Sequence, residues 1–133
     1  MPGLSVPISF KPFTGTPWAA LEEINRKICE VAKHEAGPGD GYEAARKLWE
    51  AKYDTPLTFL QVADLCRECH RLAPFRSLNG NTFASCARVA ITPLLAPLDQ
   101  VKQTFSRAGL GHYIAGTITR DELIAMVPPV LSF

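Results

Sequence analysis

Between Ala73 and Arg88 the chain gathers Pro74, Phe75, Arg76, Asn79, Gly80 and Asn81, residue types suited to holding an anion. Glycine lets the backbone turn tightly, and a helix opening near Asn81 starts with amide N–H groups that lack carbonyl partners and carry partial positive charge. Such an end attracts phosphate or carboxylate, and Arg76 and Arg88 could add charge-assisted contacts. The same residues also read as an Asn-Gly turn with an asparagine N-cap, a combination abundant in proteins that bind nothing. The candidate anion-binding residues are Arg76, Asn79, Gly80, Asn81 and Arg88.

The cysteines offer three other chemistries. Cys66-Arg67-Glu68-Cys69-His70 fits the C-x-x-C-H spelling of covalent haem attachment, but it falls mid-helix and no later Met or His stands out as a second axial ligand. Zinc would take Cys66 and Cys69 as one pair; Cys29, His34, Cys86 and His112, which could complete the set, are each isolated in sequence. Cys66 and Cys69 at i, i+3 beside Leu65 and Leu72 read first as small core hydrophobes, so the zinc protein stands as a minor alternative. Cys86 near a helix start, with His112 as its base, would make a thiol nucleophile.

These residues need elements to position them. Thr16-Pro17 reads as an N-cap with proline at the first helical position, followed by Trp18, Leu21, Ile24, Ile28 and Val31 at helical spacing. Gly37-Pro38-Gly39 should stop that helix, and Asp40 with Glu43 should cap a second one burying Tyr42, Ala45, Leu48, Trp49 and Tyr53. A third helix opens at Thr55-Pro56 or Thr58 and carries Phe59, Val62, Leu65, Cys66, Cys69 and Leu72 as far as Ala73. The fourth, capped by Asn81, buries Phe83, Ala84, Ala87, Ala90 and Ile91 until Pro93 and Pro97 break the chain. A further stretch buries Leu98, Val101, Phe105 and Ala108 and ends at Gly109 and Gly111; Thr119 and Glu122 then cap a last helix with Leu123, Ile124 and Val127.

In layout, helix, loop and helix with Pro74, Phe75, Gly80 and Asn81 resemble the Fic/Doc family, whose signature is H-P-F-x-[DE]-G-N-[GK]-R. The resemblance spans residues 57–127 in layout, and Ala115 to Leu123 is similar to the closing segment of short Doc-like chains. In that family the histidine is the general base for transfer of a nucleotide-derived phosphoryl group, and the Gly-Asn loop holds the phosphates. Here Ala73 stands at the histidine position, Asn79 at the acidic one and Thr82 or Phe83 in the region of the basic one, and the loop is two residues longer. His70, one turn before Ala73, is the candidate catalytic base. The resemblance implies an enzyme handling a nucleotide phosphate, or an inactive relative, with ATP and magnesium as its ligands.

With 133 residues, 47% of them hydrophobic, the chain suits one domain with a sizeable core. A net charge of +1 gives no general attraction for nucleic acid or anionic lipid, and no apolar run approaches the ~18 residues of a membrane span. The N-terminus lacks the basic start and apolar core of a secretory signal, so a cytoplasmic protein with reduced thiols is expected. The expected fold is all-α: a compact bundle of five or six helices over residues 16–127, with an extended arm at 1–15 and an apolar tail at 128–133. In the arm Leu4, Val6, Ile8 and Phe10 alternate with other residues and with Pro7, as in a strap or edge strand. The expected function is a non-catalytic binding, regulatory or effector module without cofactor. Its protein partner, a second copy included, would engage a terminal arm or the 73–88 loop.

Overall fold

Apolar residues at helical spacing become buried stripes in the computed structural model, which describes residues 9–10 and 16–129. The fold is all-α. Six helices occur among the described residues: α1 (Trp18–Ala32), α2 (Tyr42–Lys52), α3 (Phe59–Arg71), α4 (Asn79–Leu95), α5 (Gln100–Ala115) and α6 (Arg120–Met126). Ser9–Phe10 (β1) and Leu57–Thr58 (β2) add a short antiparallel ladder, Ser9 opposite Thr58 and Phe10 opposite Leu57. These two residues give the expected arm its extended conformation; the rest of the arm and the tail beyond Pro129 lie outside the described residues.

One buried cluster draws on every helix: Trp18 and Leu21 from α1, Trp49 from α2, Phe59 and Val62 from α3, Phe83 and Ile91 from α4, Leu110 from α5 and Leu123 from α6. α4 is central, packing against α1, α3 and α5. Thr58 and Thr119 form capping boxes with Gln61 and Glu122, each hydroxyl accepting from the third residue's N–H while that residue's side chain accepts from the cap's own N–H.

Other boundaries differ from expectation. Pro17 rather than Thr16 caps α1, and the Thr16 carbonyl accepts from Trp49 Nε1 at 3.0 Å. α1 ends at left-handed Lys33 (φ 60°), where His34 N–H reaches back to the Cys29 carbonyl at 2.8 Å, well before Gly37. Asp40 and Glu43 form no capping box, because Gly41 is the cap of α2 and is pressed against α3: a Cβ on Gly41 would lie 1.4 Å from the Leu72 carbonyl oxygen. Gly39 donates to the Pro74 carbonyl at 2.7 Å. The glycines of this segment thus permit a backbone-to-backbone seam with residues 72–76.

Pro93 lies inside α4 instead of breaking it, near the helix end and one turn beyond exposed Val89 on the same face, where loss of one backbone bond is tolerated. Gly109 and Gly111 lie within α5. Its buried stripe is Ser106, Gly109, Leu110, Tyr113 and Ile114, while Val101 and Phe105 are 63% and 55% exposed. The stripe follows the glycines because they admit close neighbours: a Cβ at Gly109 would meet Leu123 and Met126 of α6 at 3.2 and 3.3 Å.

Candidate functional site

The chain between α3 and α4 is held from several directions. Phe75 is 4% exposed, stacked between Trp18 (centroids 5.6 Å apart) and Phe83 (6.3 Å). The Asn79 side chain closes the loop on itself, accepting from Phe75 N–H at 2.9 Å and donating to the Phe75 carbonyl at 3.0 Å. Buried Asn25 of α1 donates to the Ser77 carbonyl at 2.8 Å and to Thr82 Oγ1 at 3.0 Å. Ala73 and Leu78, at φ 49° and 59°, bracket the reversal in the left-handed region, a conformation that costs about 1 kcal/mol or more and persists where surrounding contacts enforce it.

This anchoring starts α4 at Asn79, with Leu78 as its cap, so Asn81 is not the N-cap but the third helical residue. The amides of Leu78, Asn79, Gly80 and Asn81 have no acceptor among the described residues. Beside this turn an open groove of about 630 Å³ runs between α4 and α5. The two helices are antiparallel: Arg88 lies against Gly111, while Arg107 reaches further along α4 to Thr92 Oγ1 at 3.3 Å.

Asn81, Ser85 and Arg88 share one face of α4 by their spacing, and all three line the groove. None of their side chains has a hydrogen bond or ion pair among the described residues. Across the groove stand Gly111, His112 and Ala115. Thr117 gives its hydroxyl hydrogen to the His112 carbonyl at 3.0 Å, so its oxygen accepts from His112 Nδ1 at 3.1 Å. That leaves Nε2 as the ring's unengaged nitrogen. No acidic side chain lines the groove among the described residues, and the His112 imidazole is the one ring that does.

Arg88 stands apart from the other arginines. Arg26, Arg46, Arg71, Arg76 and Arg120 pair with carboxylates. Arg67 donates to the Tyr113 and Ile118 carbonyls at 3.1 Å and sits over the Tyr113 ring, while Arg107 bonds Thr92 and the Arg88 carbonyl. Arg88 alone has neither partner nor ring among the described residues. A Cβ at Gly111 would fall 2.6 Å from Arg88 Nη2, so the absent side chain is what lets the guanidinium rest on α5.

The five candidate anion residues therefore separate. Gly80, Asn81 and Arg88 line the groove; Asn79 is turned into the loop, and Arg76 leads away to Glu35 at 2.9 Å. His70 of α3 faces the first turn of α4, its Nε2 3.4 Å from where a Gly80 Cβ would be, and does not line the groove. Burial does most to lower its pKa, the Ile114 backbone works the other way, and the Arg67 charge lowers it further.

No family model, curated protein or solved structure gives a significant match to the chain. The cysteines are buried and unpaired, and burial pushes Cys66 well up and Cys69 and Cys86 to about 12. Cys86, expected where a helix dipole lowers a thiol pKa, lies in the interior of α4, and its burial works in the opposite direction. Among the described residues no three His, Cys, Asp or Glu side chains cluster as metal ligands. Nor is any described helix long and apolar enough to cross a membrane.

Sequence reasoning missed Ser85 and the whole α5 wall as parts of a groove. Their signal was present: Ala108, Gly111 and Ala115 repeat small side chains at i, i+3, i+7, the spacing that lets another helix approach. It also missed the fastening of α3 to the α5–α6 junction, where Tyr113 donates to Asp64 at 2.6 Å and Arg120 pairs with the same carboxylate at 3.4 Å. That contact and burial raise the Tyr113 pKa to about 12, burial contributing most.

Proposed function

We propose that this protein is a non-catalytic binding module that holds an anionic group of a protein partner in the α4–α5 groove, against Arg88 and the opening turn of α4. The carrying observation is that, among the described residues, the Arg88 guanidinium has no partner and the groove around it no carboxylate. Every other arginine has partners within the fold, whereas the five N–H donors of Arg88 meet no acceptor among the described residues and are open to a ligand. The enzymatic reading takes His70 as its base, and His70 does not line the groove; His112, which does, has no carboxylate beside it among the described lining residues to orient or polarise it. Anion capture needs no such group.

The test is titration of isotope-labelled protein with sodium phosphate at constant ionic strength, followed by amide NMR. Saturable shifts confined to residues 78–88 and 108–115, and absent in Arg88→Gln, are expected. Shifts that never saturate, or that persist unchanged in Arg88→Gln, would overturn the reading.

A further inference from the structure

Resting on that reading, we infer that the natural occupant of the groove is an extended peptide segment bearing a phosphorylated side chain. Three features of the lining lead there. The first is donor number. The fork of one arginine occupies both oxygens of a carboxylate and balances its single charge, yet Arg88 shares its face of α4 with the Ser85 hydroxyl and Asn81 amide, which are unengaged among the described residues. A phosphoryl group, with three terminal oxygens and close to two negative charges, can accept from all of these donors.

The second feature is length. Asn81 to Arg88 covers about 10 Å of helix at 1.5 Å per residue, the reach of about three extended residues. A phosphate beside Arg88 and Ser85 therefore leaves the Asn81 amide free to pair with peptide backbone. The third is the composition of the walls. Gly80, Ala84 and Gly111 offer little side-chain bulk, so an extended chain can lie close to the helices, while among the described residues His112 carries the only ring of the lining, on one wall, and no second ring faces it to sandwich a nucleobase. Nucleotide recognition is the competing outcome.

The experiment compares four probes by the same NMR titration: an acetylated, amidated pentapeptide with a central phosphoserine among alanines, its serine and glutamate counterparts, and ATP with magnesium. The phosphopeptide should bind at least about tenfold more tightly than the glutamate peptide and than ATP, with the serine peptide weakest. Arg88→Gln should erase that preference. Gly111→Ala, which keeps the charge but displaces the guanidinium, should reduce it about as much. Equal binding of the phospho- and glutamate peptides, or tighter binding of ATP, overturns this inference and leaves the anion groove standing. Failure of all four probes and of inorganic phosphate to shift the groove amides removes both.

Discussion

Residues 73–79 and 80–88 are adjacent, similar in composition and folded in one continuous piece, yet their polar groups are used in opposite ways. In the first stretch Asn79 bonds both Phe75 backbone groups, Ser77 accepts from Asn25, and Arg76 pairs with Glu35. In the second, Asn81, Ser85 and Arg88 are unengaged and line an open groove. The difference shows how a fold prepares a surface: donors that are spent internally fix the backbone, and that fixed backbone aims the donors that are not. A pre-set array loses less conformational entropy on binding than a loop that must first be ordered.

The strongest attack on this contrast is Phe75→Ala. It removes a nearly fully buried ring between Trp18 and Phe83 and should cost about 3–5 kcal/mol in urea unfolding. A loss under about 1 kcal/mol would mean that residues 73–79 are not the anchor, and the division between the two stretches would disappear.

Asn25→Ala comes next. It removes the amide donor of the Thr82 hydroxyl and of the Ser77 carbonyl, which keeps only a long contact from Cys29 Sγ at 3.9 Å, for an expected loss of about 2 kcal/mol. It also reaches function indirectly, because Thr82 donates to the Leu78 carbonyl at 2.9 Å and so ties Asn25 to the cap of α4. Phosphate affinity measured in this variant should fall although Asn25 does not line the groove. Unchanged affinity would show that the first stretch does not position the second.

How far these roles could be read from sequence depends on whether they are local. Most of the helix stripes of α2 to α4, the Thr58 and Thr119 caps and the burial of Cys66 and Cys69 follow from spacing of three and four residues, which a sequence displays directly. The α1 stripe holds at Trp18 and Leu21 but then turns to Asn25 and Cys29, leaving Val31 85% exposed, and Leu72 at the end of α3 is exposed too. Gly39, Gly109 and Gly111 read as helix stops by local propensity, which assigns no role to Gly41. Their real use is close approach to residues far along the chain: Leu72, Phe75, Leu123 and Arg88. The site behaved likewise. Gly80, Asn81 and Arg88 were legible as a cluster, but that Arg76 would be neutralised by Glu35, and Arg88 by nothing among the described residues, is decided by tertiary placement.

The smallest expected change in stability is the most telling, because it concerns the residue to which the largest role in binding is given. Arg88→Gln removes a charge with no partner among the described residues and should shift unfolding free energy by no more than about 0.5 kcal/mol. Gly111→Ala should go further and stabilise, by up to about 1 kcal/mol, since alanine is the better helix former and the only close neighbour of its Cβ is the movable tip of Arg88. Yet both variants should weaken phosphate binding, one by deleting the guanidinium and the other by pushing it aside. Urea unfolding and the phosphate titration, run on the same two proteins, check this directly. A fold optimised for stability alone would carry alanine at position 111, so a stabilised Gly111→Ala with impaired binding would identify the glycine as kept for the ligand. If Arg88→Gln instead destabilises as much as Asn25→Ala, Arg88 belongs with the anchoring residues and the groove loses its defining donor.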